Sequence, residues 1–254
     1  MESVSRINLP TVDSTSNFIK EMIAEERTGD VSSASMLPGM TLVVADDQTK
    51  GRGQQGNSWE TEKGKNVIFS LLCHPDFVRP AKQFLLSQCI ALAVCDTLLK
   101  YVEGVKVKWP NDIYVGDKKI SGTLIECDLF GKNIRNCIVG TGINVNQEVF
   151  VSDAPNPVSL KNLTGRDYDR EEILASVITR FQEFYEMLRE GKEEDMREMY
   201  MEKLYRKEGF FKYSDVRGEF LAEIASIEPT GHMNLRFDNG NVVRYEFKEV
   251  KFIL

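Results

Sequence analysis

The chain has 254 residues, 42% of them apolar and spread along its length, with a formal net charge of −7. That is enough for one sizeable domain, or a large and a small one, around a buried core. The acidic balance, pI ≈ 5.1, argues against non-specific nucleic-acid binding, which needs clustered cations, and no run approaches the roughly 20 apolar residues of a membrane span.

Residues 1–10 lack the apolar centre of a signal peptide, so the cytoplasm is the expected location. Residues 12–27 open with Asp13, Ser14 and Thr15, good helix caps, and then place Phe18, Ile19, Met22 and Ile23 at helical spacing. The apolar runs 41–45 and 66–73 read as buried strands. Residues 80–101 read as a long helix with Pro80 near its start. Segments 105–109, 113–115, 120–128 and 135–144 are short and β-like, punctuated by Gly116-Asp117 and Gly131-Lys132, as in an antiparallel meander. Residues 169–190 and 192–207 read as helices, the first capped by Asp169 or Asp167. Beyond Tyr213, segments 219–227, 233–237, 242–247 and 250–254 read as strands, with Asp238-Asn239-Gly240 as a hairpin turn. They predict a small appended barrel.

Five cysteines, Cys73, Cys89, Cys95, Cys127 and Cys137, form no CxxC pair and are odd in number, which predicts buried reduced thiols. With only His74 and His232, zinc sites and histidine triads have few ligands to draw on. Chemistry here must rest on Lys, Arg, Asp, Asn and backbone groups.

The most informative segment is Gln48-Thr49-Lys50-Gly51-Arg52-Gly53-Gln54-Gln55-Gly56-Asn57-Ser58-Trp59. Gly51, Gly53 and Gly56 have GxGxxG spacing after a strand. The dinucleotide fingerprint also needs a helix at once, and residues 59–66 read as loop and then strand. A P-loop is excluded because Asn57 stands where its lysine would be. What remains is a glycine turn, or a loop whose exposed N–H groups and Arg52 wrap an anion. Three further clusters stand at strand ends. Lys108-Trp109-Pro110-Asn111-Asp112 reads as an Asx-type turn or as polar groups at a sheet mouth. Lys118-Lys119-Ile120-Ser121-Gly122-Thr123-Leu124-Ile125-Glu126 is a solvated hairpin, or a strand whose Gly122 marks close approach of a ligand. Gly140-Thr141-Gly142-Ile143-Asn144-Val145-Asn146 again combines glycines with amides.

Taken together and in this order, Asp13-Ser14-Thr15, Gln48, the loop 51–59 and the three clusters resemble the biotin protein ligases, in the short form without an N-terminal DNA-binding domain. The resemblance implies an α+β fold, a mixed sheet flanked by helices as in class II aminoacyl-tRNA synthetases, over residues 1–212. It implies an SH3-like barrel over 213–254. The implied ligands are biotin, ATP and Mg²⁺. Ser14, Thr15 and Ser16 would meet the ureido end of biotin near Gln48, with Gly122 beneath the ligand. Arg52, Gly53 and Gln54 would close over the adenylate. Lys119 would reach the carboxylate and α-phosphate, and Trp59, Asn111, Asp112 and Asn144 would lie on the nucleotide side. Arg52, Lys119 and Asp112 would act in catalysis, Asp112 also toward Mg²⁺ held by phosphates, and residues 155–160 would form an adenine-side loop. Gln54 and Gln55 replace arginines frequent in the family, and Ser16 replaces a frequent Asn. The implied partner is a biotin carboxyl carrier protein, with a homodimer through the sheet as a family habit. The first motif begins near residue 13, so no specific DNA binding is expected. The alternatives are a lipoate or octanoate ligase and a non-catalytic biotin-binding module.

Overall fold

The computed structural model describes residues 3–28, 39–53, 58–152 and 154–254. Its larger sheet is built from β1 (Val4–Leu9), β2 (Met40–Ala45), β3 (Val67–Cys73), β4 (Val105–Lys108), β5 (Asp112–Val115), β6 (Lys118–Phe130) and β7 (Asn133–Ile143). They lie in the order β1-β2-β3-β7-β6-β5-β4. The pair β1–β2 is parallel and the other neighbours are antiparallel. The parallel pair needs a crossover, and α1 (Thr15–Thr28) supplies it.

Every residue of β3 is buried, because both faces of the sheet are covered there. On one face α1 packs Ile19 and Ile23 against Val43, Leu72 and Ile138. On the other lies α2 (Phe84–Leu98), apolar all round and buried along nearly its whole length, as a helix sandwiched between two layers must be. The outer layer is α4 (Arg170–Arg189), preceded by the short α3 (Leu160–Thr164) and followed by α5 (Glu193–Glu202). Asp169 caps α4, its carboxylate accepting the Glu171 N–H at 2.8 Å. No described helix is long and apolar enough to cross a membrane.

The smaller sheet holds β8 (Phe211–Asp215), β9 (Gly218–Ile227), β10 (Met233–Phe237), β11 (Val242–Tyr245) and β12 (Lys251–Phe252). The order is β11-β10-β9-β8-β12, all antiparallel. No ladder joins β11 to β12 among the described residues, so the expected closed barrel is an open sheet here. Phe220 stacks on Phe237 at 4.8 Å and on Tyr245 at 6.1 Å to form its small core. This unit docks through Trp109, whose Nε1–H donates to the Gly231 carbonyl at 2.8 Å and whose ring meets Phe247 edge-on at 5.7 Å.

Two elements differ from expectation, and β1 carries no strand signal in the sequence. β1 carries Ser5, Arg6 and Asn8 and is only half-buried, since it is an edge strand and lacks an apolar run. The helix expected over 192–207 ends at Glu202, because Leu204 and Tyr205 turn extended beside Val107, with the Tyr205 N–H donating to the Val107 carbonyl at 2.8 Å. The strand expected over 250–254 shrinks to β12. All five cysteines are free. Four are buried, and Cys127 is partly exposed.

Candidate active site

A cavity of about 200 Å³ opens between the N-terminus of α1, the ends of β3, β6 and β7, and the smaller sheet. Its blind end is made by Ser14, Thr15 and Ser16, all buried. They are held there because the chain leaving β1 pairs Val12 with Gln48, and the Thr49 and Lys50 N–H groups donate to the Val12 and Asp13 carbonyls at 2.9 Å each. Asp13 accepts from Asn17 Nδ2 at 2.7 Å and from the Ser14 N–H at 2.6 Å, and these bonds, Asn17 foremost, hold its carboxyl below the usual range. The Thr15 N–H and Oγ both donate to Gln48 Oε1, at 2.8 and 3.1 Å. Behind them Ser70 on β3 touches Thr15 Oγ at 2.8 Å and Ser16 Oγ at 2.9 Å.

The floor is glycine. Gly122 and Gly142 face each other across β6 and β7, and the Trp59 indole lies on them. A Cβ at Gly142 would stand 2.3 Å from Trp59 Cε2, and one at Gly122 would stand 3.0 Å from Cζ3. Gly140 plays the same part deeper in, where a Cβ would come within 2.6 Å of Ser16 Oγ. The buried Trp59 Nε1 has no partner among the described residues.

The rim is cationic. Arg52, Lys108, Lys119 and Lys248 line the cavity against one carboxylate, Asp112. In a chain of net charge −7 this is a local reversal, suited to an anionic ligand. Lys119 Nζ pairs with Asp112 Oδ2 at 2.8 Å and lies 5.8 Å from the Trp59 ring centre. Lys108 Nζ sits between the Tyr114 and Phe252 rings, 5.0 and 4.9 Å from their centres, and its burial pushes its pKa down against the pull of Asp112. Arg52 reaches away from the pocket, donating to Asn17 Oδ1 at 2.9 Å and to Glu126 Oε1 at 3.0 Å, where Lys20 also pairs at 2.7 Å. Burial opposes the Glu126 charge, but the hydrogen bonds from Lys20 and Arg52 outweigh it and lower its pKa.

That depression has a pH signature. The Glu126 contribution to stability is full above the ordinary glutamate value, about 4.3, and is lost as the pH falls through the lower folded value. Glu126→Gln is therefore expected to unfold at lower temperature than wild type at pH 7, by the equivalent of about 1 kcal/mol or less for such a half-exposed pair. The two melting curves should converge as the pH falls below the ordinary glutamate value and through the lower folded one. A difference that persists in acid would remove the ion pair as its source.

Most of the expected site residues meet in this cavity: Ser14, Thr15, Ser16, Gln48, Arg52, Gly53, Trp59, Asn111, Asp112, Lys119 and Gly122 all line it. Gln54 lies outside the described residues. Asn144 does not line it. It is buried, its Nδ2 donates to the Val158 carbonyl at 3.1 Å, and its Oδ1 has no partner among the described residues. Its visible work is to pin the segment after residue 155 beside Lys119, whose own N–H donates to the Asn156 carbonyl at 2.9 Å. Lys108, Trp109, Phe247 and Lys248 line the cavity as well, and Ser70 stands directly behind it; none of these was expected in the site from the sequence. Ser70 carried a signal, as the one polar residue in the strand VIFSLLC. Phe247 and Lys248 carried none.

No group of three or more His, Cys, Asp and Glu stands together among the described residues. Asp112, the one carboxylate on the cavity, is the side chain that would help hold a Mg²⁺ brought in by a nucleotide.

The family model described as the biotin/lipoate A/B protein ligase family matches residues 25–144, and the chain belongs to that family. Among its relatives is the bifunctional ligase/repressor BirA of Bacillus spizizenii, 31% identical over 193 residues, 72% of this chain and 58% of that protein. Another is the biotin–[acetyl-CoA-carboxylase] ligase of Paracoccus denitrificans, 29% identical over 60% of this chain and 67% of that one. The chain thus spans about three fifths of the length of the first of these relatives. A solved structure, the biotin protein ligase from Aquifex aeolicus in complex with biotin and ATP, superposes with a TM-score of 0.76 at 28% identity, covering 98% of this chain and 99% of that one.

Proposed function

We propose that this protein activates the carboxylate of biotin with ATP and transfers the biotinyl group to a lysine of a biotin carboxyl carrier protein. The observation that carries the reading is the polarity of the cavity, neutral hydroxyls at the blind end and four cationic side chains against one carboxylate at the mouth. An acid with a polar, uncharged head fits with its carboxylate outward, where a nucleotide phosphate can meet it.

The chemistry follows from that placement. A carboxylate has no leaving group for an amine to expel. One of its oxygens attacks the α-phosphorus of ATP, the bond to the β-phosphate oxygen breaks, and pyrophosphate leaves. Lys119 offsets the repulsion between the two anions at the point of attack, with Arg52 turning in from Glu126 to add a second cation. Asp112 would hold Mg²⁺, a cation that neutralises phosphate charge when bound. In the second step the neutral acceptor amine attacks the carbonyl carbon, AMP leaves, and the lost proton passes to Asp112, the carboxylate on the cavity. The glycine floor lets the Trp59 indole lie flat against β6 and β7, where it forms the wall that shields a bound acyl chain from water.

We assign residues 1–212 to the catalytic unit and 213–254 to an SH3-like accessory unit that lends Phe247 and Lys248 to the mouth. The test is pyrophosphate release from ATP and Mg²⁺ with biotin, lipoate or octanoate as the acid. Release with biotin alone supports the reading. Release with lipoate alone replaces the substrate, and release with none leaves a binding module.

A further inference from the structure

We infer that Ser70, a residue outside the cavity, sets the hydrogen-bond polarity of its blind end and so selects a ligand head that donates N–H groups. This rests on the reading of the site as one for an acid such as biotin, and deepens it.

The argument is a count of protons. The Thr15 backbone N–H can only donate, so the Gln48 atom it meets at 2.8 Å is the carbonyl Oε1 and not the amide nitrogen. The Thr15 hydroxyl, 3.1 Å from the same oxygen, must then spend its one proton on it. Thr15 Oγ therefore accepts at its contact with Ser70 Oγ, and Ser70 is the donor. Ser70 has now spent its proton, so at its contact with Ser16 Oγ it accepts, and Ser16 donates. The protons run one way, from Ser16 to Ser70 to Thr15 to Gln48. Ser70 is fully buried, so bulk water does not compete for its hydroxyl, and the acceptor-only Gln48 Oε1 fixes the direction of the chain.

The consequence is at the cavity surface. Thr15 and Ser16 both line the pocket, and both have given their protons away from it. They face the ligand with lone pairs. A cyclic urea offers N–H donors to such a surface, whereas a dithiolane ring or a plain alkyl chain offers none and leaves buried acceptors unpaired. Sites built to pair a ligand donor reject analogues lacking it by about 10⁴-fold or more. The relay needs Gly140, which stands opposite Ser70 across β3 and β7. A Cβ there would be 2.6 Å from Ser16 Oγ and 3.3 Å from Ser70 Oγ. Ser70 is thus a positioning residue that acts through Thr15 and Ser16.

Ser70→Ala frees the Ser16 proton to turn into the pocket and removes the donor to Thr15. Steady-state pyrophosphate release with biotin, desthiobiotin (which keeps both ureido N–H groups) and lipoate reads the change. The expected result is a KM for biotin and for desthiobiotin raised about tenfold or more, the scale of one unpaired buried hydrogen-bonding group, with kcat and the KM for ATP nearly unchanged. Discrimination against lipoate should fall in parallel. Ser70→Cys fills the same space but donates weakly, so it should resemble Ser70→Ala. If it restores the wild-type KM, packing and not the proton order is responsible, and the inference is overturned. Unchanged biotin KM in both variants would overturn it as well. A wild-type protein that releases no pyrophosphate with biotin would instead overturn the activity reading beneath it.

Discussion

Lys119→Ala is expected to slow biotin-dependent pyrophosphate release by about 10²–10³-fold, the usual loss when one preorganised electrostatic contact to the transition state is removed. The protein should unfold near the wild-type temperature. Lys119 pairs with Asp112 at 2.8 Å, but both side chains keep a quarter to a third of their exposure, 30% and 26%, and such pairs add about 1 kcal/mol or less. The strand does not depend on the ammonium group either. Its backbone bonds to Asn156 and Val158 hold it in place, at 2.9 Å each. The loss should fall on kcat more than on the KM for biotin, because the opposing charges are closest when the carboxylate attacks phosphorus. Near-normal release from a folded variant would remove Lys119 from the chemistry.

The second large effect is steric. In Gly142→Ala the new methyl would stand 2.3 Å from Trp59 Cε2 and 2.4 Å from Nε1. Real Cβ atoms do not approach that closely, so the indole must leave the floor. Gly142 lies in strand β7 without a positive φ, so alanine brings no backbone strain and its cost is that of displacing the indole. The displaced ring takes with it the surface proposed to cover the acyl chain and the ring that Lys119 Nζ faces at 5.8 Å. Misplacement of about 1 Å at a reacting centre can cost 10²-fold, and at least that loss in biotin-dependent release is expected. Gly122→Ala should be milder, since its nearest contacts at 3.0 Å include the flexible end of Lys119. With only two tryptophans in the chain, emission from Trp59 can report the shift directly. An unmoved spectrum with full activity would show that the floor tolerates a methyl.

The parts of this structure that show in the sequence are those whose cause is local. An apolar run with both faces buried marks β3, a Pro near the start and an unbroken apolar stretch mark α2, and an aspartate before a periodic run marks the cap of α4. The turn at Asp238-Asn239-Gly240 is likewise local: Gly240 has φ 85°, and the Phe237 N–H closes on the Asn241 carbonyl at 2.8 Å. The site residues near the glycine loop were legible for a different reason, a string of motifs in one order. What was hidden depends on distant chain. β1 reads as polar until β2 is placed beside it. Residues 204–205 leave helix only because Val107 offers an edge. Ser70 reads as a lone polar residue in a core strand until α1 brings two hydroxyls to it, and nothing near Phe247 or Lys248 announces a cavity wall. The smaller sheet was expected to close, and strand count alone could not say that β11 and β12 would not pair.

The cavity is assembled from residues that a ribosome delivers at very different times. Its blind end, at Ser14 to Ser16, is made first, and its glycine floor is complete once β7 has emerged. Phe247 and Lys248 and the Gly231 carbonyl that anchors Trp109 come much later. The buried core runs without a break from Phe69 and Ile143 of the larger sheet to Tyr213, Met233 and Leu235 of the smaller one, so the wall of the pocket and the core beneath it are completed by the same late strands.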